Sequence, residues 1–295
     1  MIVHADGSPC RLSEVGSRDL ASRVLSKRRI SDTITEIEIY APLVAAAAKP
    51  GQFVMICRDE KGERIPLTIS GARRDKGSIS VIFQAVGRST IELSRAEEGD
   101  PVMSVAGPMG HPSVVEGLGR VAVIGGGVGT AIAYPVAKAM KEHGNEVTVI
   151  IGARTKGLFF LTDEIRAFAD RLLLITDDGS SGRKGLVTDV LRELLEEKAL
   201  DSVLCIGPLP MMRAVSDLTK EYGVPATASL DPIMIDGTGM CGCCRVKVGG
   251  AVRYTCVDGP EFDAHQVDWD ELKKRKAYYF EEEQEQKRMA LENSI

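Results

Sequence analysis

Four residues late in a 295-residue chain carry its most specific chemical signal: Asp236, Cys241, Cys244 and Cys256, separated by four, two and eleven residues. Thiolates hold soft metals and iron–sulfur clusters. The first two intervals are those of a loop that binds a 2Fe–2S cluster, with aspartate where the first cysteine belongs. Such a loop must curl and aim backbone N–H groups at the sulfides, and Gly237, Gly239 and Gly242 stand where that freedom is needed. A carboxylate oxygen is harder than a thiolate, so a cluster held through Asp236 should differ in potential from an all-cysteine one. Cys243 is the rival fourth ligand, although ligation by the adjacent Cys243 and Cys244 forces a tight geometry and leaves Asp236 unexplained. The alternative centre is a structural zinc on three of these cysteines and His265, but the spacing is not that of paired zinc knuckles.

The other cysteines, Cys10, Cys57 and Cys205, stand alone. Residues 1–14 are polar and lack the apolar run of a secretory leader, so the chain reads as cytoplasmic, where clustered thiols serve metals or redox chemistry before disulfides. The apolar run over 43–48 stops at Lys49, Pro50 and Gly51, far short of the ~20 residues of a membrane span. No membrane partner is expected. Acids and bases are interspersed and sum to −5, which argues against a nucleic-acid surface.

The elements that must position this chemistry fall into two textures. From about Arg23 to Val105, short strands over 34–40, 51–57, 79–84 and 101–105 alternate with turns, with one helix near 89–96, which predicts a small antiparallel β-barrel. After Gly119, strands over 121–124, 147–151, 172–176 and 203–206 alternate with helices, which predicts an α/β domain with a parallel sheet and a ligand beyond the carboxyl ends of its strands. The expected division is an N-terminal extension over 1–22, a barrel over 23–116, a nucleotide domain over 117–228, a cluster segment over 229–265 and a charged helix or tail over 266–295. That last stretch reads as a solvated terminal helix.

Within the α/β domain an apolar strand runs into Gly125, Gly126, Gly127, Val128, Gly129 and Thr130, the arrangement that presents a helix N-terminus to phosphate. It departs from the strict dinucleotide fingerprint: Thr130 replaces the third glycine, and the second strand ends in Gly152, Ala153 and Arg154 with no acid for a ribose hydroxyl. Tight strand–helix packing also explains such glycines. Arg154 or Arg183 could face a 2′-phosphate, and the choice between NADH and NADPH stays open. In the barrel, alternation along an extended segment would put Arg64 and Thr68 on one face, able to meet a diphosphate and a ring heteroatom. Gly87, Ser89 and Thr90 precede the predicted helix, where they could cap it or hold a phosphate.

Together these motifs resemble the small subunit of NADH-dependent ferredoxin:NADP oxidoreductase, also called sulfide dehydrogenase, and are similar to the electron-transfer subunit of dihydroorotate dehydrogenase. The resemblance runs from about Val24 to Asp263. It rests on KPGQF at 49–53, RIPLT at 64–68, GPMG at 107–110, GGGVG at 125–129, TDDG at 176–179, Gly207 and Pro208 with Met211, and the cysteine segment. It implies an FAD-binding barrel in the ferredoxin-reductase style, an NAD(P) domain and a C-terminal 2Fe–2S loop. On that pattern Arg64, Pro66, Leu67 and Thr68 line the flavin, and Gly87, Ser89 and Thr90 hold its diphosphate. Gly126, Gly127, Val128, Gly129 and Thr130 with Asp177, Asp178 and Gly179 border the nicotinamide nucleotide. The first cluster ligand of the ferredoxin:NADP branch resembles Asp236, whereas the dihydroorotate branch has cysteine there.

The implied function is oxidation of NAD(P)H, NADH favoured, with electrons passing through FAD and a 2Fe–2S cluster to a larger subunit carrying a second flavin and 4Fe–4S clusters, which engages ferredoxin and NADP. The flavin is required because a nicotinamide delivers two electrons as hydride and a cluster carries one. The competing readings are an electron-transfer subunit of dihydroorotate dehydrogenase and, in another class, a redox-sensing or zinc-stabilised interaction module. Cys205, one place before Ile206 and Gly207, reads as a buried structural cysteine.

Overall fold

A computed structural model describes residues 2–3, 9–10, 21–60 and 62–292. The expected N-terminal extension lies largely outside the described residues, apart from the short antiparallel pair β1 (Ile2–Val3) and β2 (Pro9–Cys10). The chain forms two compact units, one running to Met109 and taking in the chain from Glu281, the other Gly110–Phe280.

The first unit is a six-stranded antiparallel sheet built from β3 (Arg23–Arg29), β4 (Ile34–Tyr40), β5 (Phe53–Cys57), β6 (Ile65–Arg73), β7 (Ser78–Gln84) and β8 (Ser104–Met109), in the order β3-β4-β7-β6-β5-β8. Period-two alternation buries Ile37, Ile39, Ile79 and Val81 in one core with Val54 and Ile56 of β5. Two expectations are corrected. The run over 43–48 is not merely apolar chain but the short helix α1 (Pro42–Ala47), with Pro42 pre-set for its first turn and Val44 and Ala45 buried, so α2 (Arg88–Ser94) is not the barrel's single helix. The last strand starts at Ser104 instead of Pro101, which lacks an N–H for a ladder and makes an isolated bridge to Arg23. Residues of α9 (Phe280–Glu292) return to this unit, where Arg88 donates to Gln286 at 3.2 Å and Arg95 to the Ala290 carbonyl at 3.0 Å.

The second unit carries a seven-stranded sheet: β9 (Arg120–Gly126), β10 (Glu146–Ala153), β11 (Arg171–Thr176), β12 (Arg183–Lys184), β13 (Ser202–Ile206), β14 (Ala226–Ser229) and β17 (Glu261–Asp263). Their order is β12-β11-β10-β9-β13-β14-β17, parallel except for the antiparallel edge strand β17. From β9 the chain winds outward to β10 and β11, then resumes on the other side at β13, so the topological switch lies between β9 and β13. Helices α3 (Gly129–Glu142), α4 (Thr162–Arg166), α5 (Val187–Glu196) and α6 (Leu209–Glu221) follow β9, β10, β12 and β13. The cysteine segment adds a hairpin, β15 (Arg245–Val248) and β16 (Ala251–Tyr254), and the single turn α7 (Thr255–Asp258). Helix α8 (Trp269–Lys276) is not a solvated terminus: Trp269 and Leu272 are buried, and the indole N–H donates to Ala264 O at 3.2 Å. No helix among the described residues is long and apolar enough to cross a membrane.

Candidate electron-transfer site

The barrel strip lies on β6 and just before it. Pro66, Leu67 and Thr68 are half-buried and pair with Met55, Val54 and Phe53 of β5, while Arg64 is exposed at the strand's entrance. Gly87, Ser89 and Thr90 gather at the start of α2. The Thr90 hydroxyl accepts from the Gly87 and Val86 amides at 3.0 and 3.1 Å, which is the capping arrangement. Ser89 donates to Glu63 at 3.3 Å, bringing this turn beside the residue that precedes Arg64.

At the switch point the glycines are dictated by close approach. A Cβ on Gly129 would lie 2.4 Å from the Ile206 carbonyl oxygen, and one on Gly126 would lie 2.5 Å from the Met211 sulfur. Packing of β9 and α3 against β13 and α6 therefore requires both, independently of any ligand. The Gly127 amide donates to Gly152 O at 3.1 Å, and the Asp177 amide to Ala153 O at 3.1 Å. Gly126–Thr130, Arg154 and Asp177–Gly179 thus line consecutive carboxyl ends of β9, β10 and β11. Asp178 is fixed by the hydroxyl and amide of Ser180, at 2.6 and 2.9 Å, which hold its carboxyl below the usual range. Arg183 is tied to Glu193 at 2.6 Å, whereas Arg154 has no ion pair among the described residues, so Arg154 is the freer cation of the two. Cys205 is wholly buried in β13, and burial pushes its thiol up to about 12, in keeping with a structural cysteine.

In the cysteine segment the sulfurs of Cys244 and Cys256 stand 3.1 Å apart, both buried. The Cys256 amide donates to the Cys244 sulfur at 3.5 Å. Burial, with the Cys244 thiol beside it, pushes Cys256 up to about 12. Cys241 is exposed, and the neighbouring Cys243 thiol is raised first by burial and then by the Cys241 thiol beside it. Asp236 accepts from the Thr238 amide at 2.6 Å and the Cys241 amide at 2.9 Å, which hold its carboxyl low. The loop thus brings Cys244 and Cys256 together, seats Asp236 on the Cys241 amide and leaves Cys241 open. Among the described residues no set of three metal-binding side chains is closed. His265 turns its Nε2 to Thr219 at 2.9 Å and forms no metal-binding group of three with the cysteines among the described residues. Three thiols, a carboxylate kept ionised and an amide already aimed at a sulfur suit a 2Fe–2S cluster, which needs anionic ligands and N–H donors.

Comparison with known proteins agrees with this geometry. Residues 231–268 match the iron-sulfur cluster binding domain of dihydroorotate dehydrogenase B, and residues 123–217 match the oxidoreductase NAD-binding domain. The dihydroorotate dehydrogenase B (NAD(+)) electron transfer subunit homolog of Thermotoga maritima is 47% identical over 89% of this chain and 93% of its own. The chain belongs to this family of electron-transfer subunits. A solved structure of NADH-dependent reduced ferredoxin-NADP oxidoreductase, described in terms of flavin-based electron bifurcation, contains a chain 45% identical, with a TM-score of 0.86 over 92% of this chain and 97% of that one. The cytochrome b5 reductase domain of Ulva prolifera nitrate reductase shares the fold at 19% identity, with a TM-score of 0.56 over 69% of this chain and 92% of that domain. The family subunit is thus ferredoxin-reductase-like, with an NAD-binding domain and a C-terminal iron-sulfur segment, and is part of an oxidoreductase.

The structure also brings in groups that spacing alone does not reveal. Arg275 of α8 donates to the Cys243 carbonyl at 2.8 Å and Arg245 of β15 to the Gly242 carbonyl at 3.3 Å. In the sequence they are two arginines among many.

Proposed function

We propose that this chain oxidises NAD(P)H, with NADH favoured, and passes the electrons through FAD and a 2Fe–2S cluster to a larger flavin- and 4Fe–4S-containing subunit engaged in ferredoxin and NADP chemistry. The observation that carries the proposal is the buried Cys244–Cys256 pair, its sulfurs 3.1 Å apart, inside a loop where the Cys256 amide is already turned toward the Cys244 sulfur. FAD supplies the conversion of a hydride pair into single electrons. Arg64, Pro66, Leu67 and Thr68 would hold its ring and diphosphate side, with Gly87, Ser89 and Thr90 shaping the adjoining turn. Gly126, Gly127, Val128, Gly129 and Thr130 would present the N-terminus of α3 to the nucleotide's phosphates, flanked by Arg154, Asp177, Asp178 and Gly179. Asp236, Cys241, Cys244 and Cys256 would hold the cluster.

The names of the relatives favour a second reading, service to a dihydroorotate-oxidising subunit. Asp236 at the first ligand position, together with the ferredoxin-NADP oxidoreductase likeness, supports the first. The test is co-purification of the native complex followed by NADH oxidation either with NADP as acceptor and reduced ferredoxin as co-donor, or with orotate as acceptor. Turnover with NADP and ferredoxin bears out the proposal. Turnover confined to orotate replaces it with the second reading.

A further inference from the structure

Three buried side-chain donors among the described residues lack a hydrogen-bond partner: Ser70 Oγ, Thr255 Oγ1 and Arg275 Nε. Two of them flank the cysteine segment. Thr255 directly precedes Cys256, and its amide donates to the Cys244 carbonyl at 3.1 Å. Arg275 reaches from α8 and donates through Nη2 to the carbonyl of Cys243, between Cys241 and Cys244, at 2.8 Å. An arginine is permanently charged and its planar fork is rigid, so anchoring one arm fixes the position of the whole cation.

That anchor sets the next amide. The Cys243 carbonyl and the Cys244 N–H share one planar trans peptide and point in opposite directions. Drawing the carbonyl to Arg275 therefore turns the Cys244 N–H away from α8, and among the described residues this N–H has no protein acceptor. Resting on the assignment of Cys241, Cys244 and Cys256 as cluster ligands, we propose that Arg275 is a positioning residue for the cluster: it orients the Cys244 amide toward the sulfides and holds a fixed positive charge beside them. A 2Fe–2S cluster held by these ligands would supply one-electron transfer, taking one electron from dithionite in the titration below with no bond made or broken. Its reduced form would carry one more negative charge, which both the Arg275 cation and the Cys244 N–H would favour.

Arg245 provides the contrast. It donates to the preceding carbonyl, Gly242 O, at 3.3 Å, but its side chain is exposed and solvent screens its charge.

The experiment is a dithionite titration of the full, anaerobically reconstituted chain, followed by EPR, for wild type, R275Q, R275K and R245Q. R275Q is expected to weaken electron uptake by about tenfold, ~59 mV for a one-electron couple, and to shift the g-values. R275K, keeping a charge without the fork, should recover most of the midpoint and leave the g-shift. R245Q should lie close to wild type. An unchanged midpoint and g-tensor in R275Q, with the cluster retained, overturns the inference, because a clamp that only braces α8 would alter stability and not potential. If R275Q holds no cluster, R275K decides: altered g-values support the role, and wild-type values overturn it. A wild-type chain that takes up no cluster contradicts the ligand assignment instead.

Discussion

The sulfurs of Cys244 and Cys256, twelve residues apart in sequence, stand 3.1 Å from each other in the interior. Replacing either should therefore remove the cluster and leave the flavin. In C244S and in C256S, cluster absorbance and iron should fall to background while FAD content and NADH-dependent bleaching of the flavin persist. Visible spectra with iron analysis read this directly. Loss of both cofactors would show that the segment braces the whole fold.

Asp236 is held by two backbone amides, so its side chain organises the loop as well as offering an oxygen. D236A should lose both roles and retain little cluster. D236C should retain the cluster and change its absorption and potential, because sulfur replaces a harder donor. Wild-type spectra in D236C would assign the fourth ligand elsewhere, with Cys243 first in line.

Gly129 admits no side chain without displacing the end of β13, since its Cβ would meet the Ile206 carbonyl oxygen at 2.4 Å. G129A should cost about 1–3 kcal/mol of stability, the usual range for overpacking. It should also raise KM for NADH at least tenfold if the turn binds the nucleotide. Thermal unfolding and steady-state kinetics separate the two effects. Loss of stability with an unchanged KM would leave these glycines a packing role alone.

Glu261 is half-buried in β17 and accepts a hydrogen bond from the buried Ser113 hydroxyl at 2.5 Å; removal of its carboxyl from water raises its pKa above the ordinary carboxylate value. Between that ordinary value and the raised one, the folded chain holds a proton that the unfolded chain has lost. Its contribution to stability is therefore full in acid and is lost as pH rises through the folded pKa. E261Q should flatten this slope and gain relative to wild type at alkaline pH. S113A should cost about 1–3 kcal/mol by leaving a buried group unpaired. Denaturant midpoints measured across pH check both, and a slope unchanged in E261Q would refute the assignment.

Much of this was legible in the chain because it rests on local patterns. Alternating apolar residues mark β4 and β7, uninterrupted runs mark β9 and β10, and the loop spacing picks out Asp236, Cys241, Cys244 and Cys256. What was not legible depends on tertiary context. Helix α1 is an alanine-rich stretch whose weak apolar signal becomes helical once Val44 and Ala45 have a sheet to pack on. The burial of Trp269 and Leu272 amid lysines reflects the docking of α8, which periodicity in so charged a segment does not announce. Arg275 and Arg245 reach the cysteine loop from a helix and a strand downstream, a contact no spacing rule contains.

The central claim is an electron path from nicotinamide through flavin to cluster within this one chain. It is tested most directly by the visible and EPR spectra of the anaerobically purified chain before and after addition of NADH. Flavin bands overlaid on cluster absorbance, both bleaching with NADH as the EPR signal of a reduced 2Fe–2S cluster appears, are the predicted result. A colourless protein containing zinc, or a flavin that bleaches while the cluster stays oxidised, would contradict it.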